Sequence, residues 1–317
     1  MLKPLRATQL FRISLLTISI LGIIISSTKA KIVSQESDVR EPRKIAVLVA
    51  IDRYHDEMMR PLKYCKSDAL ALKKTLIAGG FQESNIILMM DDTIVPSLQP
   101  TKENIQNILT VLENLTNEGD MIFFFFSGHG ASRDGNSMLL PMDFEFNNGQ
   151  LTGGLTVQAV LDTLRRCKAG ARFVAIDASL SGNNLMPWIL PQRTAILLAA
   201  KAGHHASEST ELQGSVFTQY MIRGLQGEAD EIGDTNGKVD LTELFHYVKS
   251  YMIKHEEFPS RKLVPGLMVS NDMDDIFGLE IVELPTSTSK TGGFIVVPLS
   301  APENQTDDES EVRVWSK

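Results

Sequence analysis

Unbroken apolar runs alternate with helically spaced segments along most of the chain. Strands buried on both faces of a parallel sheet typically have such runs, and five predicted strands contain one: 44–51, 85–90, 121–126, 172–176 and 194–200. Helices are predicted at 67–78, 102–117, 156–167, 214–225 and 241–253. This alternation predicts an α/β fold with a mostly parallel sheet and helices on both faces.

Two of the predicted strands end in residues suited to chemistry. The strand at 121–126 leads into Ser127-Gly128-His129-Gly130, and the strand at 172–176 leads into Asp177-Ala178-Ser179-Leu180-Ser181-Gly182. The carboxyl ends of parallel strands meet at one edge of a sheet, where open α/β folds bind their ligands. We therefore expect His129 and Ser179 to lie side by side.

These two motifs, about fifty residues apart, resemble the caspase and metacaspase superfamily of cysteine peptidases. The resemblance implies a caspase-like three-layer sandwich with a mostly parallel six-stranded sheet over residues 43–280. It also implies that His129 is the general base and that the N–H groups of Gly130 and residue 179 hold the oxyanion. The nucleophile differs, because the family has a cysteine where this chain has Ser179.

The change from cysteine to serine decides the predicted activity. A serine hydroxyl ionises roughly five or more pKa units above a thiol, a cost on the order of 7 kcal/mol. A serine enzyme usually needs a carboxylate that orients its base, and the sequence assigns that role to no particular residue. We therefore predict an inactive or weakly active peptidase homologue. Ser181 also carries a hydroxyl, but it matches a small residue of the family's turn.

Two alternative functions stay open at this point. The first is an active endopeptidase in which Ser179 is the nucleophile and His129 the base. The second is a regulatory or scaffold protein that pairs with an active paralogue. Both alternatives keep the family's fold. They differ from the inactive or weakly active homologue in the activity that they assign to the site.

The resemblance also implies an acidic substrate pocket formed by Cys65, Asp68, Ser127 and Asp177. Two carboxylates favour Arg or Lys side chains through charge-assisted hydrogen bonds, so the predicted partner is a peptide or protein with basic residues. In the alternative interpretation, Asp68 caps its helix and Asp177 bonds to the turn backbone. The loop at 202–209 is expected to line the cleft.

The segment 231–243 is similar to a calcium-binding loop. With Gly237 as the sixth position, Asp234, Asn236, Asp240 and Glu243 fall where ligands belong, but Ile232 occupies the first position. A helix-capping pattern, Asp240-x-x-Glu243, accounts for the remainder. We predict no metal or other cofactor, with calcium as the weaker alternative.

The first thirty residues differ from the rest of the chain. A basic start, an apolar run at 13–25 and small residues ending at Ala30 are typical of a signal peptide at 1–30, or of a signal anchor. We expect an exported protein, periplasmic or secreted, or held to a membrane by residues 13–27 if the segment stays uncleaved. Removing residues 1–30 changes the formal charge from −8 to −12, so nucleic acid is not an expected partner.

The segments that flank the predicted domain are polar. Residues 31–42 read as a linker, and 281–317 as a weakly structured acidic tail. The two cysteines, Cys65 and Cys167, lie on helices that the predicted fold keeps apart, so no disulfide is expected.

Overall fold

The apolar runs of the sequence become a central sheet in the computed structural model, which describes residues 40–147, 150–180, 188–201, 204–258, 263–271 and 278–285. The predicted signal segment, residues 31–39 of the linker, Ser181 and residues 286–317 of the tail lie outside the described residues. No helix among the described residues is both long enough and apolar enough to cross a membrane.

The elements follow one another in the order that the sequence predicts. The strands are β1 (Lys44–Ala50), β2 (Ile86–Met90), β3 (Met121–Ser127), β4 (Gly130–Arg133), β5 (Asn136–Leu139), β6 (Glu145–Asn147), β7 (Gln150–Thr152), β8 (Leu155–Thr156), β9 (Ala171–Asp177), β10 (Thr194–Leu198), β11 (Glu208–Ser209), β12 (Gly214–Ser215), β13 (Lys238–Asp240), β14 (Gly266–Val269) and β15 (Glu280–Glu283). The helices are α1 (Cys65–Ala78), α2 (Lys102–Leu115), α3 (Val157–Arg166), α4 (Val216–Arg223), α5 (Ala229–Ile232) and α6 (Leu241–Ile253), with a π-helical turn at Gly224–Glu228.

The central sheet has six strands in the order β2–β1–β3–β9–β10–β14. Every pair is parallel except β10 with β14, which is antiparallel. The direction of strand succession reverses between β1 and β3, and such a reversal leaves a crevice at the carboxyl edge of the sheet. The predicted fold class is confirmed, and β14 is a strand that the sequence pattern did not identify.

Helices cover both faces of the sheet, and the phenylalanine-rich strand β3 serves both. Phe123 and Phe125 pack with α1, α4 and α6, whereas Phe124 and Phe126 pack with α2 and α3. Successive side chains of a strand point to opposite faces, which explains why β3 can be apolar throughout. All four phenylalanines are fully buried.

The last described strand, β15, packs in the layer that contains α1, α4 and α6. β15 pairs antiparallel with β13, and its Ile281 and Val282 are fully buried. Val282 packs against the end of α1, where a Cβ on Gly79 would lie 2.6 Å from the Cβ of Val282. The predicted domain end at residue 280 therefore falls inside a strand.

Cys65 and Cys167 are both buried and free.

Candidate active site

The ends of β3 and β9 bring the two sequence motifs together. Ser127 pairs in register with Asp177, and the N–H of Gly128 donates to the Asp177 carbonyl at 3.2 Å. His129 and Ser179 each lie two residues beyond this pair, and both are half-buried. The adjoining backbones touch closely, because a Cβ on Gly130 would lie 2.9 Å from the carbonyl oxygen of Ser179. Only glycine fits at position 130 without displacing the Ser179 turn.

The imidazole of His129 is oriented by a main-chain carbonyl. Its Nε2 lies 2.8 Å from the carbonyl oxygen of Arg60. A carbonyl can only accept, so Nε2 carries the proton, and Nδ1 of the neutral ring is left as the acceptor. Among the described residues, no carboxylate is hydrogen-bonded to His129. This arrangement fixes the tautomer that a general base needs without the third member of a serine triad.

Tyr54 holds the backbone at the same position. Its hydroxyl accepts the N–H of His129 at 2.6 Å, and the two rings lie 5.3 Å apart, centroid to centroid. The hydroxyl would also lie 2.8 Å from a Cβ on Gly128, which explains the glycine before the histidine. Tyr54 and Arg60 both belong to the loop after β1. Neither was identified from the sequence.

The Ser179 hydroxyl has a different partner. Its Oγ accepts the N–H of Ala206 at 3.1 Å, so the segment after β10 reaches over the site. No hydrogen bond joins Ser179 to His129 among the described residues. This bond fixes the position of Oγ, but an N–H donor supplies no base for the hydroxyl proton. The catalytic roles of His129, Ser179 and Gly130 stay predictions.

Two buried aspartates lie beside this edge. Asp68, fully buried on α1, accepts the N–H of Ser215 at 2.8 Å and the side-chain amide of Gln219 at 2.7 Å. Asp177, which is 5% exposed, accepts the Thr218 hydroxyl at 2.5 Å. Asp68 makes no capping bond at the start of its own helix. The structure therefore contradicts the alternative interpretation of Asp68 as a helix cap.

The two carboxylates are close enough to oppose each other's ionisation. Burial raises the pKa of Asp68 to about 7, the N–H of Ser215 acts in the opposite direction, and the charge of Asp177 raises it further. Burial also raises the pKa of Asp177 to about 6, against hydrogen bonding by the side chains of Ser215 and Thr218. The charge of Glu208 adds to both shifts. The structure thus concentrates acidic groups in one poorly solvated site.

Cys65 and Ser127 complete the group of four residues that the sequence assigned to the pocket. Burial raises the thiol pKa of Cys65 well above its ordinary value, hydrogen bonding by Ser127 lowers it, and the charge of Asp177 raises it. The raised pKa disfavours the thiolate of Cys65, which is the nucleophilic form of cysteine. The carboxylate of Asp52 accepts the N–H of Cys65 at 2.9 Å and so sets the start of α1.

Several residues around the acidic group could not be found from the sequence. Ser215, Thr218 and Gln219 come from β12 and α4, about 150 residues after Asp68. Glu208 lies in the segment that was expected to line the cleft, and its carboxylate accepts the N–H of Lys63 at 2.7 Å. It adds a third carboxylate to the two predicted ones.

Within the part of the chain that the structure describes, two further groups of side chains could hold a metal ion, and neither includes a residue of this site. One consists of Glu211, His255 and Glu257, and the other of Asp230, Asp234 and Glu243. The second overlaps the segment that is similar to a calcium-binding loop.

Comparisons with known proteins agree with this architecture. A family model described as "Caspase domain" matches residues 43–276. Metacaspase-1 of Candida albicans is 28% identical over 208 residues, which are 58% of this chain and 44% of that protein. Metacaspase-1 of Plasmodium falciparum is 30% identical over 158 residues, 45% of this chain and 24% of the relative.

A third relative is Metacaspase-1 of Eremothecium gossypii, 32% identical over 152 residues, or 44% of this chain and 32% of that protein. The chain spans less than half the length of each of these relatives. The family match, in contrast, covers most of the chain and includes both edge motifs. The chain therefore belongs to the caspase domain family, a caspase/metacaspase-like superfamily of peptidases.

Proposed function

We propose that this chain is an exported caspase-like protein that binds peptide segments through an Arg or Lys side chain and has little or no peptidase activity. The observation that carries the proposal is that two buried carboxylates, Asp68 and Asp177, interact electrostatically. Asp177 lies at the edge of the sheet, two residues before Ser179. Export rests on the composition of residues 1–30. It is tested by sequencing the amino terminus of the protein recovered from outside the cytoplasm.

A basic side chain is the ligand that best relieves this site. Asp68 and Asp177 are 5% exposed or less, and each is protonated more easily than a solvated carboxylate. A guanidinium offers five N–H donors in a fixed fork and cancels the charge that burial makes costly. It could replace the Gln219 amide as a donor to Asp68. An acidic side chain would instead meet three carboxylates, because Glu208 adds to the pair.

Low activity follows from the nucleophile and its surroundings. Ser179 lacks the acidity of a thiol, and its hydrogen-bond partner is the Ala206 amide rather than His129. His129 is oriented by a neutral carbonyl, which cannot stabilise the imidazolium as a carboxylate does. With cysteine at position 179, His129 would already have the tautomer that a general base needs. The site thus keeps an oriented histidine and lacks an activated nucleophile.

The activity experiment compares the full chain, Ser179→Ala and Ser179→Cys on reporter peptides that end in Arg or Lys. We expect equal background turnover by the wild type and the alanine variant, and a gain of at least tenfold with cysteine. Turnover by the wild type that Ser179→Ala abolishes would refute the low-activity proposal and support a serine endopeptidase.

The binding experiment is separate, so that one part can fail without the other. Fluorescence anisotropy measures the affinity for matched peptides with Arg, Gln or Asp at one position. We expect Arg to bind at least tenfold more tightly than Gln, and Asp68→Asn to remove that preference. Asp162→Asn removes an exposed carboxylate of α3 and is the control. Equal affinity for Arg and Gln peptides would refute the basic-ligand proposal.

A further inference from the structure

The end of α5, the loop that follows it and the start of α6 bring three carboxylates together. One carboxylate oxygen from each of Asp230, Asp234 and Glu243 lies within 4.8 Å of the others. The chain turns sharply here, with φ of 55° at Thr235 and 82° at Gly237. Like charges at this separation repel, so the loop needs a positive group or a strong set of donors to hold them.

Asp230 is the member of this cluster whose hydrogen bonding is incomplete. It is 6% exposed, and its Oδ1 is buried without a hydrogen-bond partner, whereas its Oδ2 accepts the N–H of Gly237 at 3.2 Å. An unpaired buried carboxylate oxygen is costly, and native structures rarely leave one without a partner or an ion. The position of Asp230 beside two other carboxylates points to a bound cation.

Helix capping does not account for this arrangement. Asp240 and Glu243 form a capping box at the start of α6, and the Glu243 carboxylate accepts the N–H groups of Asp234 and Asp240 at 3.0 and 3.1 Å. These bonds explain the position of Glu243 and leave the Asp230 oxygen unexplained. The nearby Lys238 ammonium is directed to Glu280, at 2.6 Å. It therefore does not neutralise the cluster.

The Glu243 carboxylate has room beside the chain for a further partner. Gly233 leaves room for this carboxylate, since a Cβ there would overlap its Oε1. Each carboxylate oxygen that accepts one N–H has a further lone pair for a metal.

We propose that Asp230, Asp234 and Glu243 bind a divalent cation of the Ca²⁺ class. Asp230 supplies the leading carboxylate that the loop lacks at Ile232, from a position two residues earlier than the calcium-loop spacing requires. The donors are all carboxylate oxygens, from α5, the connecting loop and the first turn of α6, which suits Ca²⁺ better than Zn²⁺ or the strictly octahedral Mg²⁺. The fully buried Val239 lies between these ligands in sequence and pairs with Val282 of β15, so one side of the loop is anchored in the core.

Isothermal titration calorimetry of the metal-free full chain with CaCl₂, MgCl₂ and ZnCl₂ tests the proposal. We expect one Ca²⁺ per chain with a Kd of roughly 10⁻⁵ to 10⁻³ M, and at least tenfold weaker binding of Mg²⁺. Asp230→Asn should weaken Ca²⁺ binding at least tenfold. Asp234→Asn, which changes an exposed residue, provides the same test if the buried substitution prevents folding.

Glu231→Gln is the matched control, because it removes the same charge from an exposed position next to Asp230. Its Ca²⁺ affinity should change less than threefold. Absence of saturable Ca²⁺ binding to the wild type would overturn the proposal. An equal loss of affinity in Glu231→Gln and Asp230→Asn would also overturn it, because the cation would then be attracted by net charge rather than held by ligands.

Discussion

The buried carboxylate of Asp68 makes the folded state sensitive to pH. Its pKa is 3.8 in a solvated reference and about 7 in the fold. Because the folded-state pKa is the higher of the two, the folded state binds the proton more tightly than the unfolded chain does. The stabilisation from this proton is complete below pH 3.8 and is lost as the pH rises through about 7.

The size of the effect follows from these two pKa values. Between pH 5 and pH 8 the linkage relation gives a loss of ~3 kcal/mol of unfolding free energy from Asp68 alone. Asp177 has a folded pKa of about 6 and contributes with the same sign over a slightly lower window. The two groups interact, so their contributions are not additive.

Asp68→Asn should remove the Asp68 part of this dependence. An asparagine can still accept the Ser215 N–H, and it can donate to Gln219 if that amide turns over. Urea unfolding at pH 5 and pH 8 measures the difference for the wild type, for Asp68→Asn and for the control Asp162→Asn. The pH-dependent loss should be ~3 kcal/mol smaller in Asp68→Asn than in the other two proteins. An identical pH dependence in all three would refute the assignment of a raised pKa to Asp68.

Three further substitutions test the packing around the site by urea unfolding. Gly130→Ala should cost about 1–3 kcal/mol because its Cβ meets backbone at 2.9 Å, whereas Gly278→Ala, with nothing within 4 Å, is the control; equal effects would contradict the clash. Thr218→Val should cost about 1–3 kcal/mol at pH 8 and less at pH 5, where Asp177 is protonated; a larger cost at pH 5 would contradict the hydrogen bond. Phe125→Ala, at a fully buried position, should cost about 3–5 kcal/mol, and a loss below 1 kcal/mol would contradict its burial.

The sequence predicts most of the sheet because burial leaves a direct trace in residue type. β3 is apolar up to Ser127, and β9 is apolar from Phe173 up to Asp177, so each ends at a polar residue where the strand reaches the edge. Strand order in a parallel sheet then places His129 near Ser179 without knowledge of any contact. Short β14 gave no such trace, since Gly266–Val269 is only four residues long.

The contacts that complete the site could not be predicted, because they join segments that are distant in the chain or use main-chain atoms. Any residue at position 60 would present the same main-chain carbonyl to His129, so the residue type there gives no signal for this contact. Helix α1 begins two residues before the predicted start because the carboxylate of Asp52 accepts the N–H of Cys65. Asp230 lies outside the expected spacing of a calcium loop. Its place in the cluster depends on the turn at Gly237, whose N–H donates to the Asp230 carboxylate.

The pairing of β15 with β13 has a practical consequence for anyone who prepares this protein. The family match ends at residue 276, but Ile281 and Val282 beyond it are fully buried, and the N–H of Leu284 donates to the Gly237 carbonyl at 2.8 Å. A fragment cut at the family boundary would lose two enclosed apolar side chains, each worth about 1.5–3 kcal/mol. Expression boundaries and affinity tags therefore belong after Pro285, and a shorter fragment would be expected to aggregate or to be degraded by proteases.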